Sequence, residues 1–139
     1  MKEIFIIILT LFSIELIGQD TADAIRLRGM SYMSIANNID CDSTSGSNLE
    51  HRICLNIEFQ KLDSIMNQRF SELLDRTLND SIKVVLKENQ SVWVDNRRLQ
   101  SEIIANGLQG HIFGIRYLHC MIESTKSRIT ELESILEIN

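Results

Sequence analysis

Gln90, Trp93 and Arg97 stand three and four residues apart, which on a helix brings an amide, an indole and a guanidinium to one side. Such a trio has two uses. Buried, it must be hydrogen-bonded, and groups such as Asp63, Thr125 or backbone carbonyls on facing helices would pair with it and fix helix register. Lining a pocket, Arg97 would instead receive a ligand carboxylate. Polar register devices are well attested in helical assemblies, and the residue types favour that use.

The other reactive side chains do not form a catalytic set. His51, His111 and His119 have no spacing that makes a helical metal pair, and the chain lacks an HExxH motif, a nucleophile elbow and a glycine-rich phosphate loop. Cys120 follows His119 directly. Adjacent helical residues point about 100° apart, which is a poor geometry for a Cys–His pair. No residue is therefore assigned a catalytic or metal-binding role, no cofactor is implied, and the chain reads as a binding protein rather than an enzyme.

Compartment and charge narrow the partner. Lys2 precedes a run of about eleven mostly apolar residues, Ile4 to Ile14, closed by Glu15. A membrane span takes about 20 apolar residues, so this run reads as a secretory signal, residues 1–18, with cleavage after Gly18. The expected location is periplasmic or extracellular, with no stable membrane span after cleavage. Removing Lys2, Glu3 and Glu15 takes away one base and two acids, so the formal charge of −5 becomes −4. Nucleic acid is a poor partner for an acidic chain, whereas a basic protein would be attracted. In an oxidising compartment two of the three cysteines should pair. Cys41 and Cys54 flank a short polar loop and can meet without disturbing a core, which leaves Cys120 as a free thiol or an intermolecular link.

These residues need long helices to position them. The chain has no proline and, at 139 residues, suits one domain. Within residues 19–46, Asp20 to Asn38 reads as either a short amphipathic helix or an extended lead-in, followed by loop. Residues 47–139 form the helical domain. Ser47-x-x-Glu50 is a capping box that starts a first helix reaching Leu78, with an apolar stripe through Leu55, Phe59, Leu62, Met66 and Leu73. Asn79-Asp80 interrupts it, and Ile82 to Ile104 form a second helix expected to fold back as an antiparallel hairpin. The turn Gly107-Leu108-Gln109-Gly110 precedes a third helix through Ile115, Leu118, Ile122, Ile129 and Leu136. The expected fold is all-α, a small bundle of three long helices with a disulfide-closed N-terminal loop.

Read in order, Cys41, Leu49-Glu50-x-x-Ile53-Cys54, Leu62-Asp63, Met66-Asn67, Phe70-x-x-Leu73-Leu74, Gln90-x-x-Trp93-x-x-x-Arg97, Tyr117-Leu118-x-Cys120 and Thr125-x-x-Arg128-Ile129-x-Glu131-Leu132 form a pattern. It resembles the LprI-like lysozyme-inhibitor N-terminal domain over residues 41–136. The resemblance implies a secreted or lipid-anchored helical protein that is not an enzyme, with Glu50, Gln90, Trp93, Arg97, Cys120, Thr125 and Arg128 as the shared, structural motif residues. Similar members carry a cysteine eight residues after the tryptophan. Ser101 stands there in this chain, so Cys120 lacks that family partner.

The resemblance implies a protein partner, a lysozyme. Wall-cutting lysozymes are typically basic and work with two carboxylates in a cleft, so an acidic protein is steered to them and an inserted cation such as His51 or Arg52 could mask the carboxylates. The alternative is an envelope structural or interaction domain of unknown ligand, with no lysozyme-related activity.

Overall fold

The computed structural model describes residues 21–138. The expected signal segment, residues 1–18, and its cleavage site lie outside the described residues. Three long helices are present: α2 (Asn48–Arg76), α3 (Asp80–Ala105) and α4 (Gly110–Ile138). Two shorter elements precede them, α1 (Ala22–Arg28) and a 3-10 segment (Ser31–Asn38), so the described residues hold five helical elements rather than three. Among the described residues there is no strand, and no helix is long and apolar enough to cross a membrane.

Local chemistry sets the boundaries. Ser47 Oγ accepts from the Glu50 amide at 3.2 Å and opens α2. The return half of the expected capping box is different. The Glu50 carboxylate accepts from the Ser45 amide and hydroxyl at 2.7 and 2.6 Å, which ties the polar loop to the helix start. Those hydrogen bonds, the Ser45 hydroxyl first, hold the Glu50 carboxyl below its usual range. Asn79 Oδ1 accepts from the amides of Ser81 and Ile82 and opens α3. Gly107 and Gly110 take φ values of 82° and 59° in the α3–α4 turn, a region most side chains avoid.

α3 runs antiparallel to α2 and α4 parallel to it, as the pairs Met66–Gln90 and Asp63–Arg97, and Glu58–Lys126 and Arg69–Glu133, show. The expected antiparallel hairpin of α2 and α3 is present, but its two helices do not pack closely on each other. α4 lies along both neighbours, while the α2 and α3 backbones stay apart and are bridged by the long side chains of Arg97 and Gln90. Close packing instead falls to α4, whose Gly114 leaves room for Arg52: a Cβ there would lie 2.0 Å from Arg52 Nε.

The apolar interior is in two parts. At one end Ala24, Leu27, Leu55, Phe59, Ala105, Tyr117, Leu118, Met121 and Ile122 cluster. At the other, Met66, Phe70, Leu73, Leu74, Leu132 and Leu136 do. Between them, in chain order on every long helix, comes a buried polar layer. α1 belongs to this interior: it packs antiparallel on α2, with Asn56 Nδ2 donating to the Leu27 carbonyl at 2.9 Å and Gln60 Nε2 to that of Ala24 at 2.8 Å.

Candidate functional site

The polar layer is built around Arg97, whose side chain has no exposure at all. Its Nη1 donates to Asp63 Oδ1 at 2.8 Å and to Thr125 Oγ1 at 2.9 Å, and its Nη2 donates to Asp23 Oδ2 at 3.2 Å. The guanidinium also lies 4.9 Å from the Trp93 ring centre and 5.1 Å from that of Phe59. A pocket for a ligand carboxylate is thus filled by two carboxylates of the same chain. Thr125 completes its own needs by donating to the Met121 carbonyl at 2.7 Å.

Asp23 is the partner that sequence reasoning missed. Its second oxygen accepts from Arg98 Nε at 2.9 Å and Arg26 Nη2 at 3.1 Å, so three arginines converge on one carboxylate that is 1% exposed. Burial alone would raise its pKa. The hydrogen bonds of Arg98 and Arg26, with the charges of Arg97 and Arg98, outweigh burial and hold it below the ordinary value of 3.8. Arg26 also donates to the Tyr117 hydroxyl at 2.7 Å. Burial, the larger influence, pushes that phenol up.

Gln90 joins the layer to the second cluster. Its Oε1 accepts from Arg128 Nε and Nη2, each at 3.0 Å, and its amide nitrogen points to Met66 Sδ at 2.8 Å. Arg128 further donates to Asn89 Oδ1 and Glu131, and stands 5.5 Å from the Trp93 ring centre. Gln90, Trp93, Arg97, Thr125 and Arg128 therefore form one connected group. Their side chains meet one another and the acids of α1 and α2, with Arg97 Nε buried and without a hydrogen-bond partner among the described residues.

The remaining marked residues gather at the other end of α2. Cys41 and Cys54 form a disulfide with their Cα atoms 5.5 Å apart, and Cys120 is a free, half-buried thiol. Ser101 is buried, with its hydroxyl donating to the Arg97 carbonyl at 2.8 Å. His51 and His119 are both exposed and meet edge to face, ring centres 5.6 Å apart. No sequence spacing announces this pair, because the residues come from different helices. Arg52 does not reach outward; its guanidinium lies 4.0 Å from the Tyr32 ring centre. His111 sits at the start of α4, exposed. Among the described residues no group of three or more metal-binding side chains is placed to hold an ion.

Several concavities flank this framework, among them an open one of about 400 Å³ over Asp23, Arg26 and Arg98. A groove of about 740 Å³ between α1 and α2 is lined by polar side chains, among them Gln60, Asn67, Gln68, Glu72 and Asp75, with Arg28 the one cation on its wall among the described residues. A smaller pocket of about 110 Å³ lies by Tyr32, Arg52, Phe113 and Tyr117.

No curated protein and no solved structure gave a match to the chain. The family described as Lysozyme inhibitor LprI matches residues 41–132, about two thirds of the sequence, from the first disulfide cysteine through the polar layer to Leu132 of the second apolar cluster. On that extent the chain belongs to the Lysozyme inhibitor LprI family.

Proposed function

We propose that the protein acts outside the cytoplasm by binding a lysozyme and covering its cleft, with the His51–His119 end of the bundle turned toward the enzyme. Family membership over residues 41–132 is the observation that carries this reading. The geometry then limits which residues remain for the task. The motif residues of the polar layer are occupied with one another, so recognition falls to the surface. His51 and His119 are exposed, come from two helices and sit beside a disulfide that fixes the start of α2. Their imidazoles supply N–H donors to the paired carboxylates of a lysozyme cleft, while the net acidic charge draws in a basic enzyme. Arg52, stacked on Tyr32 and seated against Gly114, supports that end rather than entering the cleft.

The test is a turbidity assay of wall lysis with purified exported protein and a panel of muramidases. Near-stoichiometric protein should suppress lysis by at least one of them, and the double variant His51→Ala/His119→Ala should inhibit about tenfold or more weakly while melting like wild type. A folded wild-type protein that leaves every lysis rate unchanged would sink the reading. An envelope interaction domain would then be the better description.

A further inference from the structure

α3 carries a second apolar face that its own bundle does not use. Ile82, Val85, Val92, Leu99 and Ile103 are 50–64% exposed and lie on the side opposite buried Gln90, Val94, Arg97 and Ser101. With Asn89 and Asn96, both exposed, they alternate at three- and four-residue steps through three heptads: 82, 85, 89, 92, 96, 99, 103. That is a coiled-coil seam, with Ile82, Asn89, Asn96 and Ile103 in the first core position and Val85, Val92 and Leu99 in the second. It runs for about 30 Å along the helix. Solitary exposed apolar residues need no explanation, but a continuous ordered stripe does.

The geometry points to a second copy of this chain as the occupant, paired along α3 in parallel about a two-fold axis. Three features select that arrangement. Asn96, in the first core position, is matched only when the same position on the partner faces it, as happens in a parallel pair, while the Asn89 Oδ1 keeps its bond from Arg128 of its own chain. One flank of the seam is an acidic column, Glu88, Asp95 and Glu102. In an antiparallel pair that column would face its own copy, acid against acid, whereas in parallel it faces the opposite flank, Leu86, Trp93 and Gln100, which holds no acid. Finally, Arg128 lies against Trp93 on that flank. Glu88 of one copy would thus approach the flank on which the other copy's Arg128, paired with its own Glu131 and 11% exposed, supplies the nearest positive charge. Nothing here depends on the lysozyme reading.

Sedimentation equilibrium of the purified exported chain at micromolar to about 100 µM should show a monomer–dimer equilibrium. Val92→Glu/Leu99→Glu should weaken it about 100-fold or more by placing unpaired carboxylates in the seam, with an unchanged helical spectrum because both positions are exposed. In a Cys120→Ser background, Val85→Cys and Leu99→Cys should each oxidise to a covalent homodimer, and Ser91→Cys, off the seam, should not. A chain that stays monomeric, or a dimer indifferent to the double glutamate variant, overturns the proposal. So does cross-linking only in a mixture of the Val85→Cys and Leu99→Cys proteins, which marks an antiparallel pair, or cross-linking to a different envelope protein, which marks a foreign helix.

Discussion

Arg97 shows how one side chain can be both the costliest and the most constraining residue of a small fold. Its charge is buried, and it is tolerated because Asp63, Asp23 and Thr125 all meet it. Arg97→Ala should cost about 2 to 5 kcal/mol, because the carboxylates are left buried without their cation. That is a large share of the 5 to 15 kcal/mol typical of a domain. Urea denaturation measures it, and an Arg97→Ala protein as stable as wild type would contradict the account. Replacing Arg97, Asp63 and Asp23 together by apolar residues of similar size should restore much of the loss, since the penalty lies in the unmatched charge. The trio Gln90, Trp93, Arg97 is legible from its spacing, and residue type alone points to Asp63 and Thr125 as partners. Asp23 was not legible. It is an acid in a seven-residue helix, with nothing local to mark it, and its burial depends on arginines more than 70 residues away.

At the level of elements, caps and turns spoke plainly: Ser47, Asn79 and the Gly107–Gly110 turn each lie where the chain changes course. The sequence does not decide α1, because its apolar residues are too few to display a period and its hold on α2 comes from Asn56 and Gln60, polar residues that a hydrophobic stripe discounts. The antiparallel hairpin of α2 and α3 forms as expected, but its two helices are held apart. Adjacency in sequence suggested α2 against α3, but their facing side chains are large and polar, and α4, with Gly114, fits closer. The Cys41–Cys54 bridge closes a loop 13 residues long, and the chain-entropy account gives about 3 kcal/mol for such a loop. Thermal melts with and without reductant should differ accordingly. Peptide mapping should find Cys120 unbridged within the chain, and a melt unaffected by reductant would show that the bridge does not stabilise the fold.

For the whole molecule, Asp23 is where α1 is fastened to α3, so acid should act on the assembly through it. Its folded pKa is depressed below 3.8, which means its stabilising contribution is complete above that value and is lost as pH falls through the lower, folded value. Melting temperatures should therefore drop below about pH 4, and Asp23→Asn, less stable at neutral pH, should show a shallower acid limb. An identical acid limb in both proteins would place the sensitivity elsewhere, Glu50 being the next carboxylate held low.

The chain contains one tryptophan, and that indole lies against the guanidiniums of both Arg97 and Arg128 at the boundary between the two apolar clusters. Its emission is consequently an optical gauge built into the fold. It reports whether the layer is assembled, and it can be followed on any timescale without a label.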